Sequence, residues 1–562
     1  MVATALVGGA ALVARPRLEF ASPVVRAWTA LLAVWAVVTI TGVDPLLGLV
    51  GDPARLMGLL GLALVFVGFV AGQASGAALG SITRAAVVGC GVAVAVALVQ
   101  IVPNVGDRAT GSFGNAGFLA AYLCLVVPVA IVECVRSAGA WRWTAGAIAG
   151  AGVFVLAATQ TRGGWIGFSV AAAVLVAAVV RRWWPVAAVA VVVTVVAFAP
   201  LAARDTGRGR LDTWEQSVAV IKARPLLGWG PEGFRTGFAR HVDADWVRTY
   251  SLDQIPDRAH NRFLDVAAST GVFGLVADVT LLVVTGIALR RRLALSANRS
   301  PEWWLTLGVA AGVAGYLTQQ MFLFETFDLS LIAWTLLGVA LAPRQPSTAT
   351  EPVTHDRNIL VAAVALLSVF ALANLVADRL VQSASGADLD VAVDRLDLAA
   401  TVRPRALDTY LLLGSVALAS DDADLVDRAH DRLVGWSVDP YVSLRDADVF
   451  AHYAALTDDP DLVSVVFFYR QARLSAPTNG AAWLGLGTAL LKQNDLVEAR
   501  QALRRAAFLL PGRAEPEVNL AIVERANGND VVACRHLGRA LEKPHHPSRT
   551  MLRAIAPPSC AL

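Results

Sequence analysis

Three polar segments interrupt the apolar stretches of this chain, and their side chains could perform chemistry. Arg162 stands between two apolar runs, and the pair His260-Asn261 begins another. Between them lies a long polar interruption, residues 203–259, which contains Arg210. An ionisable group at the edge of an apolar helix is costly, so each marks a candidate functional site. Because guanidinium groups bind phosphate oxygens and imidazole accepts a proton near neutral pH, we expect one site that handles an anionic substrate.

The elements that must position these residues are membrane helices. The chain is 56% hydrophobic and 16% charged, which excludes an ordinary soluble domain. Apolar runs of roughly twenty residues predict transmembrane helices. The segment Met1 to Ala14 is short for a span and is either a clipped first helix or a re-entrant piece, so we expect about eleven or twelve spans. The predicted spans are 24–43, 56–73, 85–103, 115–135, 142–160, 163–180, 184–202, 260–289, 303–324, 327–342 and 358–376.

Basic residues in alternate short loops predict the orientation of these spans. Such loops face the cytoplasm, so the 203–259 loop and everything after the last span should face outward. Cys534 and Cys560 would then lie where a disulfide can persist. The net charge of +3 does not indicate a nucleic-acid partner. The orienting residues are Arg15, Arg17, Arg84, Arg136, Arg142, Arg181, Arg182 and Arg290 to Arg292.

The last third of the chain has a repeat typical of stacked helix pairs. Around Gly480, the stretch NGAAWLGLGTALLKQNDLVEARQALRRAAFLLPGR follows the tetratricopeptide pattern of about 34 residues. In such pairs, small residues let two helices approach while large ones fill the space between them. The array could bind a protein partner or serve as a scaffold, and both remain open. Signature positions are held by Trp483, Leu486, Gly487, Ala499, Leu503, Ala506 and Pro511, with equivalents at Leu520, Ala521, Ala533, Leu537, Ala540, Tyr469, Ala472 and Pro477 and a weaker unit near Tyr410.

Four motifs follow one another in the membrane part. They are Gly111-Ser-Phe-Gly-Asn115, then Thr159-Gln-Thr-Arg-Gly-Gly164, then Arg210-Leu-Asp-Thr-Trp214 with Arg224-Pro-Leu-Leu-Gly-Trp-Gly-Pro-Glu-Gly-Phe234, and finally His260-Asn-Arg-Phe-Leu264 with Ser269-Thr-Gly-Val-Phe-Gly274. In this order they resemble the O-antigen ligase and polymerase superfamily over roughly residues 24–342. Thr161 stands where the family pattern has serine, which keeps the hydroxyl. Tetratricopeptide tails also occur in that superfamily.

The resemblance implies a GT-C-like glycosyltransferase in the bacterial cytoplasmic membrane. Such enzymes move a glycan from a polyprenyl-diphosphate carrier to a hydroxyl acceptor on the extracytoplasmic face. Ligation to a lipid or cell-wall glycan, polymerisation of repeat units and transfer to protein stay open, and we expect neither cofactor nor metal. His260 would act as the base, while Arg162 and Arg210 would bind the diphosphate, Arg162 with help from a helix N-terminus. Further substrate-binding candidates are Asn261, Gln160, Thr161, Trp214 and Glu232.

Each of these residues also has a structural interpretation. Arg162 could anchor its helix at the membrane interface, and His260 could be a polar residue at a helix start. Trp214 could stack on a sugar or pack the loop, and Asn115 is expected to cap its span. Arg210 competes with neighbouring arginines, namely Arg204, Arg208, Arg224 and Arg235.

Two short patterns are interpreted as structurally unremarkable. Gly228 to Gly233 fits the dinucleotide fingerprint, but that motif requires a strand before it and a helix after it in a parallel βαβ unit. We therefore predict a turn. Asp243-Ala-Asp245 has the form of a metal-binding pair, but the same spacing recurs at Asp422 and Asp446 in the repeats, so it does not indicate a metal.

The sequence thus predicts an all-α chain, a polytopic membrane protein followed by an α-solenoid. The membrane domain covers 1–342, a linker and last span cover 343–383 with the span at 358–376, the repeats cover 384–545, and a tail follows at 546–562. The sequence leaves two other functional classes open: a transporter, which would place charges near span midpoints, and a non-catalytic scaffold for cell-envelope assembly.

Overall fold

The computed structural model describes residues 22–560, except 54, 76–77, 102–107, 181–184, 186–187, 190, 193–204, 252–254, 344–353 and 458–459. The segment Met1 to Ala14, most of the predicted span 184–202 and most of the linker 343–357 lie outside the described residues. The described part of the chain is helical and contains no β-strand. The predicted all-α fold is therefore confirmed.

The helices of the first half of the chain belong mainly to the membrane part. By length and composition, six of the described helices could cross a membrane: α1, α4, α5, α6, α7 and α11. The bounds are α1 (Pro23–Thr41), α2 (Pro45–Val50), α3 (Leu59–Ala74), α4 (Leu79–Ile101), α5 (Ala116–Arg136), α6 (Gly139–Ala158), α7 (Arg162–Val179), α8 (Asp205–Ala223), α9 (Phe234–His241), α10 (Ala244–Tyr250), α11 (Arg262–Leu295), α12 (Pro301–Gln319) and α13 (Phe327–Ala340).

The second half is a succession of shorter helices after one long one. Consecutive helices pair as antiparallel neighbours with short connections, as an α-solenoid requires. The bounds are α14 (Thr354–Ala384), α15 (Leu389–Val402), α16 (Leu407–Ala417), α17 (Ala423–Val434), α18 (Pro440–Leu456), α19 (Leu462–Ser475), α20 (Gly480–Lys492), α21 (Leu496–Leu509), α22 (Glu515–Ala526), α23 (Asp530–Leu541) and α24 (Arg549–Ile555).

The chain divides into two compact units. The first, the membrane unit, comprises 1–214, 224–232 and 258–372, and the second, the repeat unit, comprises 215–223, 233–257 and 373–562. Two stretches of the polar interruption therefore group with the repeats. Each unit has its own buried apolar core.

Glycines bring the helices of the membrane unit into backbone contact. A Cβ atom at Gly338 of α13 would lie 2.0 Å from the carbonyl oxygen of Phe69 in α3. A Cβ at Gly312 of α12 would lie 2.0 Å from the carbonyl oxygen of Leu125 in α5. Small residues at such crossings are typical of membrane helices, whose association depends on close packing. These crossings fix α12 and α13, between which lies the connection that contacts the candidate site.

In the repeat unit, the signature positions lie where the pattern predicts. Leu486, Ala499 and Leu503 are buried between α20 and α21. Gly487 is close to its partner helix, since a Cβ there would lie 2.6 Å from Cγ of Leu503. The equivalent positions in α22 and α23, including Leu537, are buried as well. The tetratricopeptide-like architecture is confirmed.

A disulfide closes the end of the repeat unit. Cys534 of α23 and Cys560 are bonded, with their Cα atoms 5.4 Å apart. Leu552 of α24 is fully buried against the same core as Leu537. The staple considered from the sequence is present, and it ties the last helix to the last repeat.

Candidate active site

The segment around Arg162 starts α7 in a densely packed place. Gln160 adopts a left-handed backbone conformation (φ 51°), which turns the chain out of α6 and into α7. A Cβ atom at Gly163 would lie 2.3 Å from Oε1 of Gln319, and one at Gly167 would lie 2.5 Å from the carbonyl oxygen of Gly315. These glycines let α7 pack directly on α12. The sequence Thr-Arg-Gly-Gly therefore places Arg162 at a helix N-terminus, as predicted.

A second arginine, Arg108, lies at the same place. Its Nε donates to the carbonyl oxygen of Thr159 (3.0 Å), and its Nη2 donates to the hydroxyl of Thr161 (3.2 Å). The Thr161 side chain does not cap α7. Instead it accepts a hydrogen bond from Arg108, a role that the sequence pattern does not reveal.

Arg210 lies on α8, at an exposed position of the helix surface. Surrounding protein atoms desolvate its guanidinium and lower its pKa, and the charges of Arg108 and Arg162 lower it further. The structure therefore brings Arg210 within electrostatic reach of both other arginines. Three cations so close together repel one another, and a bound anion would relieve that repulsion.

Trp214 joins α8 to the residues before His260. One turn beyond Arg210, its Nε1–H donates to the carbonyl oxygen of Ala259 (2.9 Å). Its ring also lies 6.5 Å from the ring of Phe322, centroid to centroid. The indole nitrogen is thus occupied by the backbone, and the bond holds α8 against the residue that precedes His260.

His260 is held with one ring nitrogen occupied and the other open to accept a proton. Its backbone is left-handed (φ 54°), and its Nδ1 lies 3.1 Å from the carbonyl oxygen of Arg258. A carbonyl only accepts, so Nδ1 carries the hydrogen and Nε2 is the acceptor. The ring meets Phe324 edge to face at 5.2 Å, and the Arg55 guanidinium lies over the same phenyl ring at 4.8 Å.

The electrostatic surroundings keep His260 neutral. Burial lowers the pKa of His260, and the charges of Arg210, Arg55 and Arg258 lower it further, against an opposing effect of the bond to the Arg258 carbonyl. Neutral imidazole is the form that accepts a proton. The position therefore suits a general base.

Asn261, the neighbour of His260, is fully used by the fold. Its side-chain oxygen accepts from the N–H groups of Phe263 (3.1 Å) and Leu264 (3.2 Å), which caps α11. Its amide nitrogen donates to the carbonyl oxygen of Met321 (3.1 Å). The residue thus orients His260 at the start of α11. Asn115 plays the corresponding part at α5, as expected.

Glu232 is buried in an ion pair. It lies 2.5 Å from Nη2 of Arg258, and both side chains are less than a tenth exposed. Burial alone would lower the pKa of Arg258, but the charges of Glu232 and Asp265 raise it overall. Since the Arg258 carbonyl receives the Nδ1–H of His260, the pair anchors the backbone on which the imidazole depends.

The stretch around Gly228 is a turn that packs on a break in α11. The N–H groups of Trp229 and Gly230 donate to the carbonyl oxygens of Ala268 (2.9 Å) and Ser269 (2.8 Å). At the break, Gly271 has φ 64° and ψ −165°, and a Cβ there would lie 2.2 Å from the carbonyl oxygen of Leu226. The prediction of a turn rather than a nucleotide-binding motif is confirmed. The third sequence motif therefore packs on the fourth through main-chain atoms.

Sequence reasoning missed Arg108 and Arg55. Arg108 lies only three residues before Gly111, the start of the first motif, and this proximity was the one available signal. Among the described residues, no group of three or more His, Cys, Asp or Glu side chains could hold a metal ion. The Asp243 side chain instead caps α10 by accepting from Trp246 N–H (2.7 Å).

Comparisons with known proteins point to one family for the middle of the chain. Residues 147–277 match the O-antigen ligase family. A curated relative, the exopolysaccharide production protein ExoQ of Rhizobium meliloti, is 28% identical over 103 residues, which is 18% of this chain and 23% of the relative. The crystal structure of a thermophilic TPR protein from Thermus thermophilus is also similar, with 17% sequence identity and a TM-score of 0.25. The alignment covers 32% of this chain and 95% of the TPR protein.

The matched range contains Arg162, Arg210 and His260, together with the turn and the break in α11 that position them. With its apolar helices, the chain is a multi-pass membrane protein. Its residues 147–277 match the O-antigen ligase family, and a tetratricopeptide-like repeat array follows.

Proposed function

We propose that this protein transfers a glycan from a polyprenyl-diphosphate carrier to a hydroxyl acceptor on the extracytoplasmic face of the bacterial cytoplasmic membrane. The reaction would be metal-independent. The acceptor is a lipid, a cell-wall glycan or a protein. The observation that carries the proposal is that Arg108 is bonded to Thr161, next to Arg162, and that Arg210 lies within electrostatic reach of Arg108, Arg162 and His260. The contact of Nδ1 with the Arg258 carbonyl leaves Nε2 of His260 as the proton acceptor.

In the proposed reaction, the acceptor hydroxyl attacks the anomeric carbon of the donor glycan. The bond from that carbon to the phosphate oxygen breaks, and a bond to the acceptor oxygen forms. The hydroxyl proton passes to Nε2 of His260, and the bonding pair leaves with the polyprenyl diphosphate. Direct displacement inverts the anomeric centre.

The arginines stabilise the leaving group. Negative charge grows on the bridging phosphate oxygen as the glycosidic bond breaks, and pre-positioned cations stabilise such charge without reorganising. Guanidinium groups suit this role because they offer planar, paired donors to phosphate oxygens and stay charged. Mutual repulsion among Arg108, Arg162 and Arg210 makes anion binding more favourable.

Family membership of the segment and the relative's role in exopolysaccharide production support a glycan as the transferred group. The other classes weighed from the sequence receive no comparable support. A transporter would place charges along a pathway through the spans, whereas Arg108 lies in a connection, Arg162 begins α7, and Arg210 lies on the polar helix α8.

The test is transfer by the purified full-length protein in liposomes containing a polyprenyl-diphosphate-linked glycan and candidate acceptors. His260→Ala and Arg162→Ala should each lower the transfer rate by about 100-fold or more. Arg142→Ala, an exposed arginine on α6, should leave the rate unchanged. Wild-type-like transfer by the His260 variant would contradict the assigned base. Absence of transfer by the wild type with every acceptor class would contradict the proposed reaction.

A further inference from the structure

The loop segment, residues 233–257, belongs to the repeat unit rather than to the apolar helices. Its helix α9 contacts α18 and α19, and its helix α10 contacts α21. The aromatic residues Phe234, Phe238 and Trp246 are buried, with Phe238 and Trp246 meeting edge to face at 5.1 Å. These few aromatic side chains are the main apolar core of the segment, so its folding depends on the surface against which it packs.

A buried ion pair joins the loop segment to the repeats. Nη2 and Nε of Arg235 lie 2.6 Å and 2.8 Å from Oδ2 of Asp439, and neither side chain is more than 9% exposed. Asp439 uses its other oxygen to cap α18, accepting from the N–H groups of Tyr441 (2.9 Å) and Val442 (3.2 Å). A buried charge persists only with a partner, so each member of the pair requires the other.

Two further contacts hold the end of the segment. The N–H group of Ile255 donates to the hydroxyl of Tyr441, next to the cap of α18. The guanidinium of Arg248 lies 4.7 Å from the ring centroid of Phe508 in α21. The segment is therefore held by the repeat helices at its start, its middle and its end.

The same segment is tied to the helix that carries Arg210. Gln216, six residues after Arg210 on α8, donates to Oδ2 of Asp243 (2.7 Å) and accepts from its backbone N–H (3.1 Å). A helix transmits such a restraint along its own length. Gln216 and Arg210 lie on one continuous helix, Asp205–Ala223.

We propose that the ligand of the repeat array is the chain's own loop segment, and that Arg235 and Asp439 are positioning residues which act on Arg210 through Asp243 and Gln216. This proposal rests on the proposed function for its effect on catalysis, but not for the docking itself. In this proposal, the repeat array holds the loop segment in one position.

Hydrogen–deuterium exchange of the full-length protein in nanodiscs tests the docking. Asp439→Asn removes the charge but keeps the oxygen that caps α18, and Arg235→Gln acts from the other side of the pair. Both should speed exchange in residues 234–241 by about tenfold or more, while residues 496–541 stay protected. Asp422→Asn is the matched control, because Asp422 caps α17 in the same way and forms no ion pair among the described residues.

Unchanged exchange at 234–241 in both variants would overturn the proposal. If Asp439→Asn also speeds exchange in residues 496–541, the repeats themselves have been destabilised. The result for Arg235→Gln then decides whether the loop segment is docked, since that variant leaves the α18 cap intact. The transfer assay then separates positioning from stability: both variants should lower kcat with little change in the KM for the donor, and Asp439→Glu should restore part of kcat. Loosened exchange with an unchanged kcat would overturn the positioning role. Exchange is measured without turnover, so a failure of the proposed reaction would be seen separately.

Discussion

At the residue scale, the surroundings of Arg210 and His260 make a positive charge on either side chain unfavourable. Arg210 is partly desolvated and faces two other arginines, and the imidazole of His260 is surrounded by three. Such an arrangement is unfavourable by itself, and its electrostatic cost falls when a polyanion binds. Perturbed groups that gather in this way are typical of functional sites. The positive charges that would attract the proposed diphosphate also lower the pKa of His260, which favours the neutral imidazole.

This coupling predicts the pH dependence of transfer. Because burial and nearby positive charges lower the pKa of His260, the base stays neutral below the ordinary value of 6.5, and kcat/KM should fall only as pH drops through that lowered pKa. Arg55→Gln removes one of the charges, so it should raise the pKa of His260 and move the acidic limb of the kcat/KM profile to higher pH. Arg142→Gln is the control. A limb that stays in place or moves to lower pH in the Arg55 variant would contradict the assignment.

At the element scale, the start of α11 is fixed by backbone rather than by side chains. The turn at Gly228 and the break at Gly271 interlock through main-chain hydrogen bonds, and neither tolerates a Cβ atom. Asn261, which caps α11, and His260 precede this contact in the chain. These backbone contacts therefore support His260, the proposed base, although they contain no reactive group themselves. They explain why glycine-rich stretches recur in both motifs.

Gly271→Ala should disturb this interlock. The φ and ψ angles at Gly271 belong almost exclusively to glycine, so a side chain costs about 1–3 kcal/mol in backbone strain before the clash with Leu226 is counted. Thermal unfolding in detergent should show a lower midpoint, and transfer should fall because His260 loses its support. Gly286→Ala lies on the same helix in open space and should change neither. Equal midpoints for the two variants would show that the interlock contributes nothing to stability.

Local sequence patterns predicted where helices start, turn and pair, but they did not predict which distant residues contact the site. Arg162 at a helix start, the turn at Gly228 and the helix pairs around Gly487 all follow from local pattern, and the structure contains them. Arg108 could not be predicted, because its place depends on Thr159 and Thr161, about fifty residues away. The ion pair of Glu232 is likewise a long-range contact, whereas the sequence offered only an acid in a turn.

At the scale of the whole molecule, the repeat unit does more than stack helices. Arg432 of α17 pairs with Asp397 of α15, and Arg500 of α21 pairs with Glu524 of α22. The pair Arg235–Asp439 extends the same chemistry to a segment from the polar interruption. Nearest-neighbour contacts make a solenoid stable in proportion to its length, and its ends are its weakest part. The disulfide lies at that end.

The disulfide provides a test of the side of the membrane on which the repeats lie. Cys534 and Cys560 are bonded, while Cys90, Cys124 and Cys134 are free thiols. Disulfides persist in oxidising compartments and are rare in the cytosol. If the repeats face outward, as the basic loops predict, protein denatured without reductant should take up maleimide-polyethylene glycol at those three free cysteines. Reduction should then expose all five.

Cys534→Ser supplies the matched control for this labelling, because it releases Cys560 and should add a single labelled thiol in the absence of reductant. The same change should lower the stability of the last repeat by about 3 kcal/mol, since the bond closes a loop between residues 26 apart. Labelling of all five cysteines in the unreduced wild type would place the repeats in a reducing compartment. The basic-loop topology would then be inverted, and a donor carried on the outer leaflet would be on the wrong side of the membrane for the loop segment that the repeats hold.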